Sequence, residues 1–101
     1  MNADSTNRRF NDGELIFREG DAPDCAYLIE DGFVEVWVVQ RGQRLTLARL
    51  GPGEILGEMA VIDRAPRSAS ATAIGALTTI EIRADQLREH EISRSRQQLS
   101  R

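Results

Sequence analysis

The residues best suited to chemistry in this chain are an acid and an arginine nine positions apart, Glu58 and Arg67, in the segment from Gly57 to Ala69. The planar guanidinium of Arg67 can donate two parallel hydrogen bonds to two phosphate oxygens, and the Glu58 carboxylate can accept one from a sugar hydroxyl. Glu58 to Ile62 has the composition of one helical turn, whose first N–H groups lack intrahelical partners and can hold an anion. Because Gly57 also permits close backbone approach, the segment predicts a site that reads two ends of one nucleotide.

Turn residues and short apolar runs alternate along the rest of the chain. The eight glycines lie where turns are expected, and the runs between them have strand length and β-rich composition. The predicted strands are residues 15–17, 26–29, 33–39, 43–50, 68–74 and 77–82. Turn signals that recur about every ten residues are typical of a β-sandwich or barrel.

One predicted strand also suggests a surface. Val34, Val36 and Val38 alternate along the run from Phe33 to Val39 and should face the core. Trp37 would then point outward, and an exposed indole invites either a protein partner or a covering element such as the chain's own terminal helix.

Several motifs are similar, in order and spacing, to the cyclic nucleotide-binding domains of protein kinase regulatory subunits, catabolite-activator-like regulators and nucleotide-gated channels. The resemblance covers roughly residues 13 to 85 and rests on residues 13–17, 19–21, 27–29, 32–36, 50–54 and 57–69. It implies an all-β core, an eight-stranded jelly-roll barrel or sandwich, with a short C-terminal helix. A second short helix, the cassette helix, lies in the segment 57–69, which resembles the phosphate-binding cassette of the family.

The resemblance also implies a ligand, cAMP or cGMP, and assigns roles in the cassette. Arg67 would hold the phosphate together with backbone amides of Gly57, Ala60 and Ser68, and Glu58 would hold the ribose hydroxyl. The Ser68 hydroxyl can add a contact. Some family members have alanine and others threonine at this position, so serine does not decide between adenine and guanine. The predicted ligand-binding residues are Gly57, Glu58, Met59, Ala60, Arg67 and Ser68.

Three segments are expected along the chain. Residues 1–9 are polar and predict a flexible N-terminal segment, residues 10–91 form the jelly-roll domain, and residues 92–101 are a polar tail or a truncated lid helix. The run from Arg83 to Glu91 favours a short helix. In the family a longer C-terminal helix normally closes over the base, and this chain lacks most of it.

Composition narrows the function classes. With 101 residues, 41% hydrophobic and 29% charged, the chain predicts one soluble domain, and its net charge of −3 argues against nucleic-acid binding. No run has the length of a membrane span, so a cytoplasmic location is expected. Cys25 and His90 are the only cysteine and histidine, which argues against a metal site, a cofactor or an enzyme.

Two functions remain open. The first is a sensor module that binds cyclic nucleotide and passes the event to an effector domain or protein partner, near Trp37 or through the C-terminal tail. The second is a degenerate jelly-roll interaction domain that no longer binds nucleotide. Glu58 and Arg67 favour the first, and the short tail favours the second.

Overall fold

The computed structural model describes residues 5–87, which form an antiparallel β-structure around one core. Within this range there are six strands and one complete helix: β1 (Ser5–Phe10), β2 (Leu15–Phe17), β3 (Cys25–Gln40), β4 (Gln43–Leu50), β5 (Ile55–Leu56), α1 (Glu58–Asp63) and β6 (Ser70–Arg83). Residues 84–87 are also helical. The predicted all-β core with a short cassette helix is confirmed.

The eight-stranded detail of the jelly-roll prediction is confirmed in part, because two long strands each make two sets of pairings. Residues 25–31 of β3 pair with β5 and with the second part of β6, which in turn pairs with β1. Residues 34–40 of β3 pair with β4, and residues 33–37 also pair with the first part of β6, which pairs with β2. Two sets of four strand segments result.

Gly32 marks the boundary between the two parts of β3. Its φ is +97°, and a Cβ added there would lie 2.3 Å from the carbonyl oxygen of Ala76 in β6. The pairing of β3 with β6 is irregular on both sides of Asp31. A close crossing of two backbones therefore explains why a glycine interrupts the apolar pattern without ending the strand.

The core lies between the two sets of segments. Its fully buried side chains include Val34, Ile29 and Leu77, and Val36 packs against them partly exposed. Each large apolar side chain so buried contributes about 1.5 to 3 kcal/mol to folding. The valine face predicted from the sequence is thus on the inner side of β3 at Val34 and Val36.

The N-terminal prediction needs a correction, because residues 5–9 belong to strand β1 and not to a flexible segment. The β1 backbone pairs with β6 in continuous register from Ser5 opposite Ile82 to Phe10 opposite Leu77. Phe10 is buried, which gives the polar strand one apolar anchor. Backbone pairing at a sheet edge needs no apolar alternation, so the sequence carried little signal. The predicted tail at 92–101 and His90 lie outside the described residues.

Trp37 also differs from expectation, because its indole is half-buried on the outer face. Its Nε1–H donates to Thr72 Oγ1 at 2.8 Å, and Arg44 Cζ lies 4.0 Å from the ring centroid. Two neighbouring strands, β4 and β6, thus cover part of the indole, and a partner at its exposed part stays a prediction.

Candidate functional site

A cavity of about 300 Å³ opens between the inner face of the sheet and the cassette. Its apolar wall includes Val36, Ala48 and Leu50 from β3 and β4. The structure brings all six sequence-predicted site residues to its lining: Gly57, Glu58, Met59, Ala60, Arg67 and Ser68.

Helix α1 is placed by its two ends and by one buried side chain. It begins after Gly57, which has a φ of +79°, and ends at Asp63. The next residue, Arg64, has a φ of +56°, and its N–H caps the last turn. Val61 is buried in a cluster with Ala26 of β3 and Leu87 of the final helical turn. Helix α1 therefore packs on β3 through Val61, and its first turn lines the cavity.

The backbone of Arg67 is held by the loop after β2. Its N–H donates to the carbonyl of Asp21 at 2.9 Å, and its own carbonyl accepts from the N–H of Gly20 at 2.8 Å. The Arg67 residue is only 4% exposed. This loop, far away in sequence, thus directs the arginine inward.

The guanidinium of Arg67 is held on three sides. Nη1 donates to the carbonyl of Gly57 at 2.9 Å, and Nη2 donates to the carbonyl of Cys25. Cζ lies 4.1 Å from the centroid of the Phe17 ring. Within residues 5–87, Nε is buried and has no hydrogen-bond partner. A residue that lines the cavity consequently keeps one strong donor without an acceptor.

Electrostatics make Arg67 unusual. It forms no ion pair with any carboxylate among the described residues. Burial lowers the pKa of the Arg67 guanidinium, because leaving water penalises the charged form, while the charges of Asp24 and Asp21 act in the opposite direction. An arginine nevertheless stays protonated at neutral pH. A buried cation without a partner is costly, so this position favours an anion.

The other predicted residues lie around the opening. Glu58 is half-buried at the start of α1, and across residues 5–87 its side chain makes no ion pair or hydrogen bond, with Arg67 or any other group. Met59 is 61% exposed, and Ser68 is exposed. The acid and the arginine therefore reach the same cavity without neutralising each other.

Sequence reasoning missed two contributors to this site. Phe17 appeared only as part of an apolar strand, and Cys25 only as inert packing. Cys25 is indeed buried, but its carbonyl is the acceptor for Arg67. A backbone carbonyl has no signature in sequence, and the apolar run 15–17 gives no sign that its last ring faces a cation.

Within residues 5–87, a jelly roll lines a cavity with a buried arginine that no carboxylate pairs, an arrangement suited to a small anionic ligand. Residues 7–90 match the family described as cyclic nucleotide-binding domain, and the chain belongs to this family. The predicted family is thus confirmed.

The chain is similar to the cyclic AMP receptor protein of Thermus thermophilus, with 44% identity covering 66% of this chain and 32% of that protein. It is 36% identical to a cAMP-dependent protein kinase type II regulatory subunit of Drosophila melanogaster, covering 72% of this chain and 19% of the relative. The cAMP-bound form of the EAL enzyme Bd1971 superimposes with a TM-score of 0.81 at 39% identity, over 84% of this chain and 23% of that one. A cGMP-bound form of the same enzyme is also similar.

This chain spans about a fifth to a third of the length of these relatives. In the part of the chain described, no helix is both long and apolar enough to cross a membrane. The same residues contain no group of three or more histidine, cysteine or acidic side chains suited to a metal ion.

Proposed function

We propose that this domain binds cAMP or cGMP and serves as a regulatory sensor rather than as an enzyme. Arg67 and the backbone amides of Gly57, Ala60 and Ser68 hold the cyclic phosphate, and Glu58 accepts a hydrogen bond from the ribose 2′-hydroxyl. Met59 lies at the mouth. Relatives in which the same domain is part of a longer protein support a role that passes the binding event to an effector.

The observation that carries this proposal is the state of Arg67. It is 4% exposed, lines the cavity and forms no ion pair within residues 5–87. A surface arginine would stay hydrated, and a structural buried one would be paired. An anionic ligand removes the imbalance, and a phosphate does so with two oxygens at once.

The donors of Arg67 suffice for both its protein contacts and a ligand. A guanidinium has five N–H groups, and the carbonyls of Gly57 and Cys25 take one from each Nη. The N–H of Nε remains, together with the second N–H of each Nη. These remaining N–H groups are enough for two phosphate oxygens, so the phosphate does not have to take the donors that the two carbonyls use.

Glu58 supplies the complementary group. A carboxylate that no neighbour within residues 5–87 occupies is a strong acceptor for a hydroxyl. It sits on the first turn of α1, where the N–H groups lack intrahelical acceptors. The acid therefore selects a sugar hydroxyl while the amides beside it select the phosphate.

The size of the cavity favours one nucleotide. Its volume of about 300 Å³ lies at the lower end of the range for small-molecule sites, roughly 300 to 1,000 Å³. A cyclic mononucleotide suits this space better than a cyclic dinucleotide. The choice between adenine and guanine stays open, because Ser68 is exposed and its hydroxyl has no partner within the described range.

Calorimetric titration of the full chain with cAMP, cGMP and cyclic di-GMP tests the proposal. We expect heat from the cyclic mononucleotides at one site per chain and none from the dinucleotide. Binding of neither mononucleotide, with a native circular dichroism spectrum, would instead support the degenerate interaction domain.

A further inference from the structure

Phe17 is fixed from below by the core. It ends strand β2, where it pairs with Ala71 of β6. Its ring stacks on Tyr27, with centroids 6.3 Å apart and an interplanar angle of 28°. The ring is half-buried and also lines the cavity. One part of it therefore belongs to the core and another part to the site.

The same ring meets Arg67 and the cassette. Arg67 Cζ lies 4.1 Å from the Phe17 centroid, and a Cβ on Gly57 would lie 3.3 Å from Phe17 Cε2 and 2.4 Å from Arg67 Nη1. Phe17, Gly57 and Arg67 are thus in mutual contact, with no room for a side chain at the glycine. The negative face of the ring covers the guanidinium, while the two carbonyls fix its Nη atoms.

We propose that Phe17 is a positioning residue for the phosphate site, which fixes the plane of Arg67 so that the N–H groups not used by the two carbonyls are ready for the ligand. This inference rests on the proposed function of the cavity. Phe17 acts through Arg67. An arginine side chain has several rotatable bonds and loses conformational entropy when it binds a ligand. A residue that already orders the side chain in the free protein reduces this loss on binding.

Phe10 provides a matched comparison within the chain. It too packs its ring on Tyr27, with centroids 6.1 Å apart, and it is 3% exposed. It does not line the cavity. If Phe17 were only a core residue, replacing Phe17 or Phe10 with an aliphatic side chain would have the same effect on ligand binding.

The test compares four variants of the full chain by titration with cAMP and cGMP: Phe17→Leu, Phe17→Met, Phe17→Tyr and Phe10→Leu. We expect the two non-aromatic variants at position 17 to bind about threefold to tenfold more weakly, from the ordering of one arginine side chain. Phe17→Tyr should retain affinity, because it keeps the ring face. Phe10→Leu should lower the melting temperature and leave affinity within twofold.

A second measurement follows Arg67 directly. In ligand-free protein, the Nε–H resonance of Arg67 should move and exchange faster with water in Phe17→Leu and Phe17→Met, and stay unchanged in Phe10→Leu. The inference is overturned if that resonance is unaffected, or if folded Phe17→Leu and Phe17→Met bind as tightly as the parent protein. Absence of nucleotide binding by the parent would overturn the proposed function instead, and the resonance would still show whether Phe17 orders Arg67.

Discussion

Two arginines of this domain stack on aromatic rings at nearly the same distance but have opposite surroundings. Arg44 Cζ lies 4.0 Å from the Trp37 centroid, and Arg67 Cζ lies 4.1 Å from that of Phe17. The side chain of Arg44 is 47% exposed, and its Nη2 donates to Glu35 at 2.8 Å. Arg67 is 4% exposed and has only carbonyl acceptors within residues 5–87.

The comparison shows that stacking on a ring does not mark a binding site. In the outer arrangement, Arg44 stacked on Trp37, the polar groups have partners. Glu35 accepts from Arg44 and from the Thr46 hydroxyl, and Thr72 accepts from Trp37. Exposed pairs of this kind contribute about 0 to 1 kcal/mol. The inner arrangement, Arg67 stacked on Phe17, is incomplete, since its positive charge is desolvated and no carboxylate of residues 5–87 pairs with it. Imbalance of buried charge, rather than aromatic contact, distinguishes the candidate site.

The largest change in ligand affinity is expected when the two arginines are replaced in turn. Arg67→Ala should weaken cyclic nucleotide binding at least thirtyfold, because a charge-assisted contact in a desolvated site is worth about 2 to 5 kcal/mol. Arg44→Ala should leave affinity within twofold. Calorimetry measures the affinity, and circular dichroism establishes that both variants remain folded. Equal losses in the two variants would contradict the assigned difference between the inner and outer arginines.

A second prediction concerns the space around the inner arginine. Gly57→Ala places a methyl group 2.4 Å from Arg67 Nη1, whereas Gly13, with the same φ of +79°, has no heavy atom within 4 Å of such a group. Both variants should lose about 1 to 2 kcal/mol from backbone strain, and Gly57→Ala about 1 to 3 kcal/mol more from overpacking. Chemical denaturation measures the difference. If both variants unfold at the same denaturant concentration, Arg67 yields to the methyl group at no cost.

The third prediction compares the two acids. Glu58→Gln should weaken cAMP binding about tenfold, because a hydrogen bond to a neutral amide is weaker than one to a carboxylate. The same substitution should matter much less for 2′-deoxy-cAMP, since both changes remove one interaction and should not add. Glu35→Gln on the outer face is the control and should leave both affinities unchanged. Fully additive losses would show that Glu58 contacts another part of the ligand.

The sequence predicted some residues of the candidate site and missed others. Gly57 to Ser68 is one contiguous segment with recognisable residue types, and its six predicted residues do reach one cavity. Their individual roles remain predictions. The Phe17 ring and the Cys25 carbonyl come from segments 50 and 42 positions before Arg67, so no local pattern could reveal them.

In the fold, too, local features were predicted from the sequence and long-range contacts were not. Strand β4 coincides with the predicted run 43–50, because alternation and flanking glycines are local signals. Strand β1 was missed because pairing to β6 is made by its backbone, and four separate strands were expected where Gly32 and Gly75 allow two long strands to continue through a crossing. Long-range pairing decided what composition left open.

The smallest expected effect is a pH dependence confined to the outer arrangement. The Thr46 hydroxyl and then the charge of Arg44 lower the pKa of Glu35 below its ordinary value of 4.5. An acid with a depressed pKa in the folded state stabilises above the unfolded value, and this contribution is lost as the pH falls through the lower folded value. Melting temperatures of the parent and Glu35→Gln should therefore differ by a constant amount above about pH 5.5, and the difference should shrink from about pH 4.5 downward.

Added salt should reduce the share of this melting-temperature difference that comes from the charge of Arg44, because both side chains face solvent. A difference that grows on acidification would mean that Glu35 is more stable protonated, and the outer cluster would then be as unbalanced as the inner one.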